Sequence, residues 1–460
     1  MRLSEYRDKL KGIRDFSNSN TRVSDKTLKT LNNKENIDEM KIIGITGSKG
    51  KSTICNIVHD YLKYVDKRSI LYSSNRIDSM CSFKNEDACD VAIYNEDCIL
   101  DFIDEAAEYD SEYLVLEVNE STIEKGLVND IDFTIRAISN IYPKNSLSFY
   151  EEDVYVNLKK SFFKNIPNEN ECKCILGMCD PLRREDFNEL VKINNCEKVT
   201  FGSKYYCEYR NANYNNLDYM IFSENNKSIA SINGLNFKLR VKDKIYDLKT
   251  KLIMPFIAND IICAIAILDT LNVLDMSKFL KFIENYKIVG RDEVIKKAGR
   301  TFVIGVSLMP HLEVFDSFKR NNEINKIKLI LGTSGDNYKT WDKSLTMPKR
   351  LKTLPDTKRR AALYASKYCD YIYLTSNDPA SNRPFDLIKE LSTYMRSRDM
   401  YEVVVNRKDA IKKAVFDSKV GDLIYISGRG NRKVFCNTFD NAELFTDKEV
   451  LEKVFEELGW

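Results

Sequence analysis

The stretch IIGITGSKGKSTICNIV, at residues 42–58, restricts the fold of this chain more than any other part of the sequence. An aliphatic run, KIIGIT, leads into a turn with glycines at 47 and 50, and STICNIVHDYLKY follows with the texture of a helix. In that context backbone N–H groups can approach phosphate oxygens, and the helix N-terminus adds partial positive charge. The stretch therefore predicts a phosphate-binding loop in an α/β domain, with a strand–helix turn that binds no ligand as the alternative.

The residues of this loop predict a nucleotide together with its metal ion. The side chain of Lys51 can reach the β- and γ-phosphates, and the hydroxyl of Ser52 can bind Mg²⁺, so MgATP or MgGTP is expected. The spacing is shorter than in G-x-x-x-x-G-K-S, because Ile45 stands where the first glycine is usual and the turn begins at Gly47. We assign nucleotide contacts to Gly47, Ser48, Lys49, Gly50, Lys51, Ser52 and Thr53.

Strands and helices alternate along most of the chain, which predicts the α/β class with mostly parallel sheets. The alternation begins at Lys41, is interrupted by a β-rich insert at about residues 199–252, and starts again after Gly290. The predicted domains are a short N-terminal extension at 1–40, a central P-loop-containing ATP-binding domain with a mostly parallel sheet at 41–290, and a smaller Rossmann-like α/β domain at 291–460.

The composition limits the binding partners and the cellular compartment that can be expected for the protein. The 71 basic and 69 acidic residues leave a net charge of +2, so there is no electrostatic reason to expect nucleic acid or an anionic membrane. The longest apolar run, at about residues 261–268, is shorter than the roughly 20 residues that span a bilayer. The 12 cysteines include no C-x-x-C pair, and Cys172 and Cys174 are the closest, which predicts reduced thiols in a cytoplasmic protein. Only two histidines are present, which excludes a three-histidine zinc site.

The shortened loop, T-G-x-x-G-K-S, resembles that of the Mur ligase family, and further motifs follow in the family's order. They are LEVNESTIEKGLV, ISNIYP, YVNLKKSFF, FIANDIICAIAI, VGRDEVI, LGTSGD, YLTSNDPASNRPFDLI and GDLIYISGRGN, and they span about residues 41–445. The branch that this chain resembles most is that of the UDP-N-acetylmuramoyl-tripeptide synthetases, which add the third amino acid to the peptidoglycan precursor.

The resemblance implies an ATP-dependent acid–amino acid ligase that works through an acyl phosphate, in the cytoplasm and in cell-wall biogenesis. Its expected cofactors are ATP and Mg²⁺, and its expected partners are a small-molecule carboxylate acceptor and an amino acid, with the oligomeric state left open. Two alternatives stay open. One is a degenerate family member that binds nucleotide and serves as a scaffold or regulatory subunit, and the other is a plain P-loop ATPase or kinase.

The resemblance also implies roles for single residues, with Lys51, Glu117 and Lys159 as the catalytic set. Glu117, at the end of the strand EYLVLEV, would hold Mg²⁺; the alternative is an ordinary solvated carboxylate. Lys159 stands in the family's Y-x-x-x-K setting, where the lysine is often carbamylated and then holds a second Mg²⁺; the alternative is a surface lysine. Asn259 would contact the ATP base or act like an N-cap residue. Arg291 would reach a phosphate or form a structural ion pair.

In the C-terminal domain the resemblance places the incoming amino acid just beyond the strand ends, where ligands usually bind in this architecture. Simple turn chemistry is the alternative explanation for the residue types found there. The candidate substrate residues are Asn377, Asp378, Arg383 and Arg429.

Several positions depart from the family's patterns. Its P-D-H is replaced at 143–145, D-Y-A-H-x-P at 305–310, D-N-P-R at 377–380 and G-K-G-H-E at 428–432. Only about 40 residues precede the loop, so a UDP-binding domain is not expected there, and in this respect the chain is more similar to folylpolyglutamate synthetase. The basic pair Arg429 and Arg432 motivates the hypothesis that the incoming amino acid is acidic.

Overall fold

A computed structural model of the chain describes most of its residues. These are residues 39–78, 102–103, 105–129, 131–142, 152–164, 166–178, 183–203, 217–222, 229–335, 354–379, 382–432, 434–438 and 441–460. Most of the predicted N-terminal extension, and the departures from the family at residues 143–145 and at Ala380, lie outside the described residues.

The chain divides into two compact units. One comprises residues 1–228, 236–249 and 256–285, and the other comprises residues 229–235, 250–255 and 286–460. The domain limits at residues 41 and 291 that the sequence suggests stay predictions.

A sheet of eleven strands is the framework around the predicted phosphate loop. Its strands are β1 (Lys41–Thr46), β2 (Ser69–Ser73), β3 (Arg76–Asp78), β4 (Tyr113–Glu117), β5 (Ile135–Ile138), β6 (Lys173–Met178), β7 (Glu197–Ser203), β8 (Tyr219–Phe222), β9 (Ala230–Ser231), β10 (Gly234–Val241) and β11 (Lys244–Thr250). Their order is β11-β10-β8-β7-β6-β5-β1-β4-β2-β3, with β9 paired to β10. The neighbours from β2 to β8 run parallel, whereas β3 and β10 pair antiparallel with theirs.

Strand β1 lies between β4 and β5, and all of its residues except Lys41 are buried. Strands β2, β3 and β4 lie on one side of β1, whereas β5, the next strand in the sequence, lies on the other side. The strand order therefore reverses at β1. In open α/β sheets, ligands bind in the crevice outside the carboxyl ends of the strands at such a reversal. The loop that follows Thr46 therefore lies where this architecture binds its ligands.

Six of the helices that accompany this sheet have bounds that the structure describes. They are α1 (Lys51–Tyr64), α2 (Glu120–Glu124), α3 (Glu152–Ser161), α4 (Arg184–Lys192), α5 (Ile257–Thr270) and α6 (Met276–Glu284). Helix α5 buries twelve of its fourteen residues, because its sequence IANDIICAIAILDT is apolar on nearly every side. A helix of this kind is stable only inside a protein, and α5 packs against α1 and the sheet.

The second unit has a six-stranded sheet of its own, in the order β12-β13-β17-β14-β15-β16. Strand β12 pairs antiparallel with β13, and the other pairs are parallel. The strands are β12 (Glu293–Lys297), β13 (Arg300–Gly305), β14 (Ile327–Thr333), β15 (Tyr371–Ser376), β16 (Tyr401–Val403) and β17 (Leu423–Ser427), and a separate hairpin has β18 (Val434–Thr438) and β19 (Asn441–Leu444). The helices are α7 (His311–Arg320), α8 (Leu354–Tyr368), α9 (Pro384–Thr393), α10 (Arg407–Phe416) and α11 (Asp447–Glu457).

The predicted fold class is confirmed. A large, mostly parallel sheet contains the strand that leads into the phosphate loop, and later strands of the chain form a second, smaller sheet. The β-rich insert differs from expectation in one respect. Its strands continue the large sheet, because β7 pairs with β6 and β8 pairs in turn with β7. Among the described residues, no helix combines the length and apolar character needed to cross a bilayer.

Candidate functional site

The predicted phosphate loop lies between β1 and α1, and its two glycines have backbone conformations that other residues rarely adopt. Gly47 has a φ of +142° and Gly50 a φ of +85°. A Cβ atom on Gly50 would collide with the carboxylate of Asp260, and one on Gly47 would collide with Ser139. Helix α1 begins directly after Gly50, without a side-chain cap and without an acidic residue in its first turn. Its N-terminus therefore presents positive potential to an anion.

The end of β5 holds this loop in place. Ser48 N donates to the carbonyl of Asn140 at 3.1 Å, and Lys49 N donates to Asn140 Oδ1 at 3.0 Å. In return, Asn140 Nδ2 and Ser139 Oγ donate to the carbonyl of Lys49 at 2.9 and 2.6 Å. The loop is therefore fixed by side chains about ninety residues further along the chain, and Asn140 is a residue that the loop motif alone did not identify.

Lys51, the predicted phosphate-binding lysine, bends back over the loop. Lys51 is the first residue of α1. Its Nζ donates to the carbonyl of Gly47 at 2.8 Å, which holds the ammonium group at the loop. A cation in this position faces the same space as the backbone N–H groups of the loop, where it can attract phosphate oxygens.

Ser52 and Glu117, the two predicted Mg²⁺ ligands, are in direct contact and both are buried. Ser52 Oγ donates to Glu117 Oε2 at 2.9 Å. Ser74, which sequence reasoning missed, donates from its backbone N to Glu117 Oε2 at 2.8 Å and from its hydroxyl to Oε1 at 3.1 Å. The donors are hydroxyl and carboxylate oxygens, which Mg²⁺ prefers, so this set of side chains fits the ion.

Lys159 is completely buried on α3 and faces the loop. Its Nζ lies 2.9 Å from Glu120 Oε1 and donates to Thr46 Oγ1 at 2.9 Å. Burial lowers the pKa of Lys159 to about 8, although the carboxylate of Glu120 acts in the opposite direction. The neighbouring Lys160 instead pairs with two carboxylates of α4. Of the two adjacent lysines, Lys159 is therefore the one at the site.

Glu120 is the second residue that sequence reasoning missed. It follows Glu117 by three positions, begins α2, and pairs with Lys159. Tyr155 OH lies 3.1 Å from Glu120 Oε1 and 2.7 Å from Ser48 Oγ, so it connects the carboxylate to the loop. Burial opposes ionisation of Glu120, but Lys51 and Lys159 outweigh it and hold its pKa below the usual range. A second acidic residue three positions after Glu117 was the signal that could have identified it.

Asn259 lies in the first turn of α5, in the same unit as the loop. The residue is buried, and its Oδ1 has no hydrogen-bond partner within the described parts of the chain. Phe256, not Asn259, caps α5, and it does so without a side-chain hydrogen bond. A buried amide oxygen without a partner costs free energy unless a ligand satisfies it, which favours a binding role over a capping role.

The second unit contains Arg291 and the residues that are predicted to bind the incoming amino acid. Asp378 and Arg429 form a fully buried ion pair, with 2.7 Å between Oδ1 and Nη1, and Arg432 Nη1 lies 3.5 Å from the same carboxylate. The charge of Arg429 is therefore matched inside the protein by a residue that was itself predicted to bind substrate.

The other predicted residues of this unit are not members of that ion pair. Asn377 is buried directly after β15, with Nδ2 3.5 Å from Ser334 Oγ, and its Oδ1 has no partner among the described residues. Arg383 is exposed and precedes α9 as its N-cap residue. Arg291 lies two residues before β12, beside Asp292, whose Oδ1 is 2.8 Å from Nε2 of His311.

Comparison with known proteins gives one matching family model and many relatives. The model of the Mur ligase middle domain matches residues 45–268. The UDP-N-acetylmuramoyl-L-alanyl-D-glutamate–2,6-diaminopimelate ligase of Listeria monocytogenes is 24% identical over 409 residues, which are 85% of this chain and 74% of that relative.

Solved structures give the same fold. The MurF ligase of Thermotoga maritima in complex with ADP is similar with a TM-score of 0.59 and 14% identity, over 94% of this chain and 84% of that one. The bifunctional folylpolyglutamate synthase/dihydrofolate synthase of Yersinia pestis, in complex with AMPPNP and Mn ion, is similar with a TM-score of 0.57 and 12% identity, over 100% of this chain and 98% of that one.

Proposed function

We propose, from the match of residues 45–268 to the model of the Mur ligase middle domain, that this chain is an ATP-dependent ligase that joins a small-molecule carboxylate to an amino acid. The resemblance that the sequence motifs indicate is confirmed by the family match and by the named ligases among its relatives. The acyl-phosphate route, the Mg²⁺ ion and the cytoplasmic location belong to this proposal.

The observation that supports the proposal most strongly is the contact of Ser52 with Glu117 beside a fixed glycine loop. Ser52 is the second residue of α1 and Glu117 ends β4, and the two oxygens lie 2.9 Å apart at the carboxyl edge of the sheet. Mg²⁺ held there would neutralise charge on the phosphates of ATP. The N-terminus of α1 and Lys51 would hold the β- and γ-phosphates.

In the proposed reaction an oxygen of the acceptor carboxylate attacks the γ-phosphorus of ATP, and ADP leaves. The amine of the amino acid then attacks the carbonyl carbon of the acyl phosphate. The resulting tetrahedral intermediate loses phosphate, and the nitrogen loses a proton, which leaves an amide. Both steps depend mainly on positioning and on the stabilisation of negative charge, so cations and N–H donors that are fixed before the reaction are the expected catalytic equipment.

Lys159 is proposed to carry a carbamate in the active enzyme. A neutral amine adds to CO₂, forms a carbamate and releases a proton, so the reaction needs the deprotonated lysine. With a pKa of about 8, Lys159 is neutral in about a tenth of molecules at pH 7, far more than an ordinary lysine. The new anion would lie beside the carboxylate of Glu120. Two adjacent anions need a cation between them, which supports a second Mg²⁺.

The charges near the predicted amino-acid site bear on which amino acid is added. The hypothesis of an acidic amino acid began with Arg429 and Arg432, but Arg429 is paired with Asp378 inside the protein. The hypothesis now depends on Arg432, whose side chain is about one-fifth exposed.

The experiment is phosphate release from ATP by the full-length protein, with pooled amino acids and a panel of acceptor carboxylates that includes muramyl peptides and folates. Release that requires both an acceptor and an amino acid, together with a new amide product by mass spectrometry, is the expected result. Lys51→Ala should abolish it. Mg²⁺-dependent binding of ATP without stimulated release by any combination would favour the alternative, a nucleotide-binding scaffold. Release from ATP alone would favour a plain ATPase.

A further inference from the structure

Three cysteines lie together at the edge of the large sheet that is opposite the phosphate loop. Cys172 directly precedes β6, Cys174 is the second residue of β6, and Cys196 directly precedes β7. The pairing of Lys173 with Glu197 puts Cys172 beside Cys196, and Cys174 follows on the same face of the sheet. All three side chains are buried, and their Sγ atoms lie within 4.8 Å of one another.

A buried cation faces this three-cysteine cluster. Arg136 pairs in register with Cys174 across β5 and β6, and its side chain is fully buried. Its guanidinium donates to the carbonyls of Phe162 and Ile131, while its Nε has no hydrogen-bond partner within the described residues. No ion pair of Arg136 with a carboxylate is present in the described parts of the chain. The rings of Phe133 and Phe162 lie 5.1 and 5.0 Å from the guanidinium, and the carboxylate of Asp132 acts on it without forming an ion pair. Burying a guanidinium in this way is costly, so further negative charge beside it is favourable.

The cluster can supply that negative charge as thiolate. A hydrogen bond from Cys172 and the nearby charge of Lys198 lower the pKa of Cys174. Asn194 Nδ2 also lies 3.8 Å from Cys174 Sγ, and Lys198 is held beside the cluster by the carbonyls of Asn194 and Cys196. Burial raises the pKa of Cys196 to about 11, and the hydrogen bond to Cys174 raises that of Cys172.

Ordinary packing does not account for this arrangement. A buried free cysteine usually behaves as a small apolar side chain. Cys55 and Cys369 fit that description, because burial holds the pKa of each thiol well above its ordinary range. The three-cysteine cluster differs from them because its thiols converge on one another and on a guanidinium.

We propose that Cys172, Cys174 and Cys196 bind one thiophilic divalent metal ion, Zn²⁺, through three thiolates. Thiolates select soft or borderline cations over Mg²⁺, so this site differs in chemistry from the predicted Mg²⁺ site at the phosphate loop. Three thiolates with one Zn²⁺ carry a single net negative charge, and the guanidinium of Arg136 neutralises it. Binding releases one proton from each protonated thiol, and the bound ion links the start of β6 to the start of β7.

The test uses the full-length protein, reduced and stripped of metal, in excess Mg²⁺, titrated with Zn²⁺ and in parallel with Co²⁺. We expect about one Zn²⁺ per chain to bind at this site, and thiolate-to-cobalt charge-transfer absorption with Co²⁺, which oxygen ligands do not produce. Cys174→Ala should abolish that absorption and weaken Zn²⁺ binding by at least about tenfold. Cys369→Ala removes a buried thiol elsewhere and should retain both signals.

A measurement on the unmodified protein covers the case in which Cys174→Ala does not fold. The rate of alkylation is measured for each cysteine in urea below the unfolding transition. The rates of all three cluster thiols should fall on addition of Zn²⁺ but not of Mg²⁺. Three results would overturn the proposal: wild-type protein without cobalt–thiolate absorption, equal protection by Mg²⁺, or a disulfide within the cluster after purification without reductant.

Discussion

Replacing Lys159 with methionine tests whether this lysine is held in the interior at a cost to stability. The ammonium group is fully buried, and its pKa of about 8 lies below the ordinary value of 10.5. Between these two pH values the unfolded chain binds more protons than the folded chain, so the free energy of unfolding rises as the pH increases. Since each tenfold change in a protonation equilibrium is worth about 1.4 kcal/mol, the contribution of Lys159 changes by about 3 kcal/mol over this window.

The assay is equilibrium urea unfolding of the wild type and of Lys159→Met between about pH 7 and about pH 10.5, in buffer free of CO₂. Taking the difference in free energy of unfolding between the two proteins removes the contribution of every group that titrates in the same way in both. The stability of the variant relative to the wild type should fall by about 3 kcal/mol as the pH rises through this range. The same substitution should abolish phosphate release that depends on acceptor and amino acid.

Lys160→Met is the matched control, because it removes the adjacent lysine from the same helix. Burial opposes protonation there too, but the carboxylates of Glu189 and Asp186 prevail and raise the pKa of Lys160. Its stabilising contribution is therefore lost only above the ordinary lysine range, and the stability difference for Lys160→Met should stay flat below about pH 10. An equally flat difference for Lys159→Met would refute the assignment of a lowered pKa to Lys159.

Three further substitutions examine the site and the second unit. Glu117→Gln should lower the rate of stimulated phosphate release by about 100-fold or more, since it removes the charged metal ligand, and Mn²⁺ titration with bound nucleotide should show weaker metal binding. Gly50→Ala should reduce stability in thermal unfolding more than Gly459→Ala does, and it should also abolish ATP binding. Both residues have positive φ, but only at Gly50 would a Cβ atom collide with a neighbour. Asp378→Asn should destabilise the protein by about 3–5 kcal/mol because it leaves Arg429 buried without its partner, and the double variant with Arg429→Met should recover most of that loss in urea unfolding.

The glycine loop and the positions of Ser52 and Glu117 beside it were predictable from sequence because they depend on local patterns. A glycine turn between a strand and a helix specifies its own geometry, and a carboxylate at the end of the strand EYLVLE points into the crevice of a parallel sheet. Ser74 and Asn140 were not predictable in this way. Each reaches the site from the end of another strand or a turn, at a separation of 43 residues from Glu117 or 91 from Lys49. Their contacts depend on the strand order, which a single sequence does not encode in any short pattern.

The pairing of Asp378 with Arg429 was hidden for a different reason. Each residue alone has the chemistry of a ligand contact and lies just beyond a strand end, so sequence reasoning assigned both to the substrate. They are 51 residues apart along the chain, and only the three-dimensional structure shows that each neutralises the other. Charged residues near strand ends predict a polar site, but not whether their charges are available to a ligand.

The two units therefore use buried charge in different ways. In the first unit, Lys159 keeps a pKa of about 8 beside the phosphate loop, and a group whose charge is so easily removed can be changed by CO₂ or by a metal ion. In the second unit, Arg429 is already neutralised by Asp378, so it cannot by itself select an amino acid by charge. Among the predicted substrate residues, we therefore expect the buried amide oxygen of Asn377 and the exposed guanidinium of Arg383 to contact the amine substrate. Selectivity should therefore change with substitution of Asn377 or Arg383, whereas substitution of Arg429 should act through stability.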